Sequence, residues 1–341
     1  MKKTILITGG AGFIAHHLVD TLLRVTDWNI VALDRLDYSG NLNRLNEVIS
    51  NYPASTQKRV KIIFHDLKAE VNSQIRKMIG NVNYIAHLAA GSHVDRSILD
   101  PMGFVLDNVI GTTNILEYAR VLDTLERFIY FSTDEVFGPA PLGVKFKEND
   151  RYNALNPYSA SKAAAEELVV AYENTYSLPV FITHTMNVFG ERQHPEKFIP
   201  LAIKKIMLGE KLGIHSSKDF KSIGSRVYVH ARDVSEALLF LINYPTNELP
   251  TCSDGTIKCH KFNIVGSREI NNLELAQMIA DIQKKPLNYE LVDFHSTRPG
   301  HDLRYSLDGG KMAAMGWIPS DIERQLPDVV SWSINNDRWL L

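Results

Sequence analysis

The stretch TILITGGAGFIAHHLVDTLL, residues 4–23, restricts the choice of fold more than any other part of the chain. Its first five residues read as a short buried strand. Phe13, Ile14, Leu18 and Leu22 then recur at helical spacing, so a strand passes into a helix through a glycine-rich turn. Gly10, Gly12 and Ala15 fit the spacing G-x-G-x-x-G/A of a dinucleotide-binding turn. The reason for glycine is steric. The backbone must turn tightly and let a pyrophosphate approach the N–H groups that the first helical turn leaves without partners. An ordinary glycine-rich turn is the competing reading. Asp34 argues against it, because a carboxylate ending the next strand, NIVALD, accepts hydrogen bonds from a ribose 2′-hydroxyl and repels a 2′-phosphate. NAD is therefore expected over NADP, with Arg35 next door as a small counterweight. The expected cofactor cradle comprises Gly9, Gly10, Gly12, Phe13, Ile14 and Asp34. Asp66 and Leu67 join it at the end of KIIFHD, where Asp66 is either an adenine contact or a structural turn acid.

The same rhythm continues. TILIT, NIVALD, VKIIFHD, YIAHLAA, RFIYFST and PVFITHT are short apolar runs separated by helical or loop stretches, as a parallel sheet covered on both faces requires. The expected fold is α/β, a Rossmann-like doubly wound parallel sheet. From Asn187 the pattern changes to longer irregular stretches with helical segments at EALLFLINY and LELAQMIADIQ. Residues 1–186 are thus expected to form a dinucleotide-binding domain, and residues 187–341 a smaller lobe interleaved with it. A chain of 341 residues accommodates both. With 37 basic and 39 acidic residues it carries no field suited to nucleic acid or an anionic membrane. The lysines of MKKTILITGG precede too short an apolar run for a signal peptide, and Cys252 and Cys259 are too few for a disulfide scaffold. A cytoplasmic protein is expected.

Two further motifs carry chemistry. In NPYSASKAAAEELVVAYENTY, Tyr158 and Lys162 stand four apart on a helix started by Pro157 and share one face. A nearby ammonium would favour the phenolate and let Tyr158 act as a base. In STDEVFG, Thr133 ends a sheet strand and is followed by two carboxylates, Asp134 and Glu135. Adjacent side chains on a regular strand point to opposite faces, so both acids can reach one ligand only where the strand stops, as Gly138 and Pro139 indicate. Two close carboxylates resist joint ionisation, which lets one remain an acid while the other serves as a base.

These residues carry a resemblance. TGGAGFIA, DYSGNLNRL, HLAAGSHVDRSI, NVIGT, STDEVFG, NPYSASKAAAE, HPEKFIP, YVHARD and RPGHDLRYSLD occur in the order used by the extended short-chain dehydrogenase/reductases. Among these the chain most resembles the nucleotide-sugar 4,6-dehydratases, and within them the dTDP-glucose 4,6-dehydratase branch. The resemblance implies an NAD-dependent enzyme of a nucleotide-diphosphate hexose, with Thr133, Asp134, Glu135, Tyr158 and Lys162 catalytic. It further implies substrate contacts from His93, Asn187, Glu196, Lys197, Arg226, Arg298 and His301, and a homodimer. The dimer's apolar surface is expected from Ile115, Leu116, Ala119 and Leu122 on one helix and Leu168, Val169 and Tyr172 on another. Some positions depart from the branch: Gly91 replaces a usual acid, Phe137 a common tyrosine, and NVFGERQHPEKFIP lacks the usual Tyr-Gly-Pro. The nucleotide base and the hexose therefore stay open. His16 and His17 are expected on the helix surface and not at a metal. A 4-epimerase or uronate decarboxylase would share the cradle, Tyr158 and Lys162 but not the consecutive acids. A non-catalytic NAD-binding protein would have lost one of these groups.

Overall fold

The computed structural model describes residues 2–248, 260–293 and 303–341. The six apolar runs form strands β1 (Thr4–Thr8), β2 (Asn29–Asp34), β3 (Val60–Phe64), β4 (Tyr84–His87), β5 (Arg127–Thr133) and β6 (Val180–Thr185). They lie side by side in the order 3-2-1-4-5-6, and every pairing is parallel. All but the edge strand β3 are largely buried on both faces. Ile5 and Ile7 of β1 point into one core and Leu6 into the other, as the two-residue period of a strand requires. The helices Gly111–Ala119 and Pro157–Tyr176 cover one face; α1 (Phe13–Val25) and the helix Ala231–Asn243 cover the other. The strand order reverses between β1 and β4, which opens a crevice at their carboxyl ends.

Beyond β6 the chain builds a three-stranded sheet from β7 (Asn187–Phe189), β9 (Ser225–His230) and β11 (Glu269–Asn271), and a strand pair from β8 (Leu212–Ser216) and β12 (Tyr289–Asp293). The helices Phe198–Leu208, Asn272–Gln283 and Ile322–Asn335 enclose a separate apolar core that includes Ile203, Leu275 and Leu326. The later half also returns to the first body. Its strand β10 (Lys261–Ile264) pairs in parallel with β6 as the seventh strand of the main sheet. Lys261 enters that sheet buried, with its ammonium 2.9 Å from the fully buried Glu166 carboxylate.

Two expectations are corrected here. His16 and His17 are not on the helix surface; they are 0% and 5% exposed. α1 is covered on its second side by the helix Ala231–Asn243 and by the loop carrying Glu191, whose carbonyl lies 3.3 Å from His17 Nε2. Burial pushes His17 down to about 3, so it is neutral at physiological pH. The second correction concerns the expected dimer surface. Ile115, Leu116, Ala119 and Val169 are fully buried against the sheet, and Leu122, Leu168 and Tyr172 pack on the same core. The exposed apolar side chains lie just upstream, at Leu99, Met102, Val105, Leu106 and Ile110. Among the described residues no helix is long and apolar enough to cross a membrane.

Candidate active site

A cavity of about 700 Å³ occupies the crevice at the carboxyl ends of the central strands. Its floor is the glycine turn. Gly9 has φ +68°, and a Cβ on Gly10 would stand 2.7 Å from the Ala32 side chain, so neither position accepts a side chain without strain. Gly12 caps α1 with no side chain of its own, leaving the first N–H groups of a thirteen-residue helix toward the cavity. Asp34 ends β2 with each carboxylate oxygen taking one backbone donor, Ala11 N–H at 2.9 Å and Leu36 N–H at 2.7 Å. A carboxylate has about four lone-pair sites, so it retains capacity toward the cavity that it lines. Phe13, Ile14 and Leu67 line the same wall. Asp66 does so as well, while accepting from Lys68 N–H at 2.9 Å; it is thus both a turn acid and a cavity wall.

The strand β5 stops at the two acids. Thr133 is the last strand residue, and Asp134–Phe137 form a single 3₁₀ turn closed by Gly138 at φ +74°. The turn carries both carboxylates to the cavity. Asp134 is 5% exposed and accepts from the Thr133 hydroxyl at 3.0 Å, and its Oδ2 has no hydrogen-bond partner among the described residues. Burial, reinforced by the neighbouring Glu135 charge, pushes its carboxyl up to about 7. Glu135 is only half-buried, and the Asn156 amide donates to its Oε2 at 3.1 Å. The environments of the two acids therefore differ in the sense needed for one to hold a proton while the other accepts one.

Tyr158 and Lys162 project from the helix Pro157–Tyr176 into the same cavity. Asn156 starts this helix with a reciprocal capping box to Ser159. The relation expected between the two groups is corrected by the geometry. Lys162 Nζ donates to the Phe131 carbonyl at 2.6 Å and lies 4.2 Å from the Tyr130 ring centre. Burial pushes this ammonium down to about 7. The Tyr158 phenol is held above its ordinary value by burial and the Glu135 charge, with the Thr133 hydroxyl opposing. The lysine is thus tied to the end of β5, and the phenol holds its proton more firmly than a free tyrosine does.

The remaining sequence candidates divide. Asn187 and Lys197 line the cavity from the second lobe, and His93 lines it from the loop after β4. Glu196 forms a clasp at the mouth with the Tyr38 hydroxyl and with His93 Nε2 at 3.3 Å. Arg226 stands back from the cavity wall, donating to the Ser225 and Leu303 carbonyls at 2.7 Å each. Arg298 and His301 lie outside the described residues. Two residues missed in the sequence support the site. Asn156 orients Glu135; its signal was the capping position before Pro157. Asn108, buried, ties the Gly91 backbone to Ser161 with bonds of 2.8–3.1 Å; it opens the motif NVIGT, which by itself assigns it no role.

Comparison with known proteins places this arrangement. The family model described as GDP-mannose 4,6 dehydratase matches residues 6–326. The chain belongs to the GDP-mannose 4,6-dehydratase family. Within this dehydratase family it is 35% identical to the dTDP-glucose 4,6-dehydratase of Escherichia coli, over 98% of the chain and 94% of that relative. It is also 35% identical to a trifunctional UDP-glucose 4,6-dehydratase/UDP-4-keto-6-deoxy-D-glucose 3,5-epimerase/UDP-4-keto-L-rhamnose-reductase of Arabidopsis thaliana. There it covers 99% of itself but spans only 48% of the plant protein, about half its length. Among solved structures it superposes on the dTDP-glucose 4,6-dehydratase of Streptomyces venezuelae, crystallised with NAD, with a TM-score of 0.82, 32% identity and 98% of each chain covered.

Proposed function

We propose that this chain is an NAD-dependent 4,6-dehydratase of a nucleotide-diphosphate hexose of the dTDP-glucose type, releasing the 4-keto-6-deoxy sugar. The observation that carries this reading is the 3₁₀ turn that presents Asp134 and Glu135 to one cavity, Asp134 buried and Glu135 held by Asn156. The glycine cradle, the open start of α1 and the spare acceptor capacity of Asp34 fit a dinucleotide. When bound, NAD⁺ supplies a reversible hydride acceptor, taking hydride from C4 of the sugar and returning it to C6.

The chain's own groups move the protons. Tyr158 takes the proton of the 4-hydroxyl, and Thr133 steadies that oxygen. Glu135 removes the C5 proton that the 4-ketone has acidified, while Asp134 gives its proton to the departing 6-hydroxyl, so that one water is lost between C5 and C6. A proton returned to C5 completes the product. Lys162 is positioned to place a positive charge beside the cofactor and Tyr158. In the second lobe Asn187 and Lys197, and outside the described residues Arg298 and His301, are the groups we assign to the nucleotide diphosphate.

A 4-epimerase needs no acid to expel a hydroxyl, which is why the buried, proton-holding Asp134 favours dehydration. The test is to incubate the purified protein with dTDP-, UDP-, GDP- and CDP-glucose and follow products by mass spectrometry. Loss of one water from at least one of them is expected, and interconversion of C4 epimers alone would replace this reading.

We also assign the protein to the cytoplasm as a homodimer. The exposed row Leu99, Met102, Leu106 and Ile110 supplies the apolar surface for that contact. Sedimentation at micromolar concentration should show a dimer, and Leu106→Glu should shift it toward monomer. A wild-type monomer that retains full activity would refute the assembly.

A further inference from the structure

Arg35 follows Asp34 at the end of β2, the place where an acid selects a ribose 2′-hydroxyl and an arginine accommodates a 2′-phosphate. Taken alone, the pair gives conflicting instructions. The structure resolves the conflict through a residue seventy-two positions away. Asp107 receives the Arg35 guanidinium through two bonds, of 2.5 and 2.8 Å, in the planar fork geometry that suits this pair. Asp37 lies 2.6 Å and Asp66 3.5 Å from the same guanidinium, and Lys68 is drawn to Asp66 and Asp107 in turn. All of these residues line the cavity. Asp107 is the least exposed of the three carboxylates, its side chain 15% exposed against 60% for Asp37 and 40% for Asp66. It reaches Arg35 across the space above Gly91, where a Cβ would stand 3.4 Å from Asp107 Oδ2 and 3.2 Å from the Phe104 ring.

We infer that Asp107 is a specificity-determining residue for the cofactor: it captures Arg35 and so withholds from a 2′-phosphate the arginine that directly follows Asp34. The inference rests on the proposed dinucleotide site and extends it. Rejection of NADP⁺ then has two parts, repulsion by Asp34 and removal of the arginine by Asp107. A bidentate ion pair fixes the direction of a guanidinium as well as its charge, and a carboxamide at position 107 would remove that fork, leaving only the more exposed Asp37 and Asp66 to compete with a 2′-phosphate for Arg35. Gly91 belongs to the same device, since a larger residue there would crowd the Asp107 carboxylate.

The test is calorimetric titration of the purified protein with NAD⁺ and NADP⁺, in displacement mode where nucleotide is retained. Wild type should favour NAD⁺. Asp107→Asn should lower the ratio of the NADP⁺ to the NAD⁺ dissociation constant by roughly tenfold or more, and adding Arg35→Gln should restore it. Arg35→Gln alone should leave the wild-type ratio in place, because the captured arginine contributes nothing to a 2′-phosphate. Two results overturn the inference: an unchanged ratio in Asp107→Asn, or a further loss of NADP⁺ affinity in Arg35→Gln, which would show that the arginine already reaches the phosphate. Failure of wild type to bind either dinucleotide overturns the proposed site itself, and this inference with it.

Discussion

Tyr158→Phe should leave the bound nicotinamide oxidised when substrate is added, and should cut overall turnover by a factor on the order of 10²–10⁴. The substitution removes one hydroxyl from a ring that packs against Val94 and Phe104, so the fold should be untouched. What is lost is the group that takes the 4-hydroxyl proton. Burial and the Glu135 charge hold the phenol above its ordinary value, while burial holds Lys162 down at about 7. The ammonium that assists the phenol is therefore itself marginal near neutrality. As pH rises through 7, Lys162 loses its charge. Absorbance of reduced nicotinamide after rapid mixing is the measurement. Reduction in the Phe variant at the wild-type rate would remove Tyr158 from the first proton transfer.

The two acids should fail at different stages. Glu135→Gln should still reduce the cofactor on mixing with substrate yet exchange no C5 proton with deuterated water. Asp134→Asn should exchange that proton better than Glu135→Gln does but lose turnover by a factor on the order of 10²–10⁴, the usual contribution of one general acid. The pH dependence follows from the Asp134 carboxyl at about 7: its acid form is present below that value and lost above it. Wild-type turnover should carry an alkaline limb near pH 7 that Asp134→Asn lacks. Stability should move with the same group. Its ordinary value is 3.8, so between pH 4 and 7 the unfolded chain gives up a proton that the native state keeps, and stability falls as pH rises across that window. The cost is on the order of 4 kcal/mol at full ionisation, three units at about 1.4 kcal/mol each. Asp134→Asn should therefore melt higher than wild type above pH 7. Equal melting temperatures, with both acid variants dehydrating a 6-hydroxy substrate at full rate, would return the site to a structural role.

The parts of the molecule legible in the sequence are those with local signals. Strands β1 to β6 are short apolar runs, and all but the edge strand β3 are largely buried on both faces, so their composition announces them. β10 has no such signal because Lys-Phe-Asn-Ile holds no apolar run and its polar–apolar alternation lasts only four residues. Its lysine is tolerated inside only because Glu166 waits for it ninety-five positions earlier in the chain. The second buried face of α1 escapes a sequence reading for a similar reason: histidines count as polar in a helical pattern, yet His17 meets the Glu191 carbonyl and α1 packs against the helix Ala231–Asn243. The catalytic turn was legible because a strand ending in two acids and a glycine is a local event. The pairing of Asn156 with Glu135 was not, nor that of Asp107 with Arg35 at the cofactor end, since contacts across 21 and 72 positions leave no trace in spacing, and the capping position of Asn156 announces a helix start and not a partner.

The late return of β10 has a consequence for how the chain comes into being. β6 ends at Thr185, and the strand that covers its outer edge is not complete until Ile264. Throughout the synthesis of the intervening residues that edge offers unpaired backbone groups beside an apolar core, the condition under which chains pair with one another. Pairing across so long a separation also slows refolding, because the loop must close before any contact rewards it. A fragment ending before Lys261 should therefore aggregate even though it contains the glycine cradle, both acids, Tyr158 and Lys162. Possession of a whole catalytic apparatus and the ability to stay dispersed in water are, in this chain, completed at different moments of its translation.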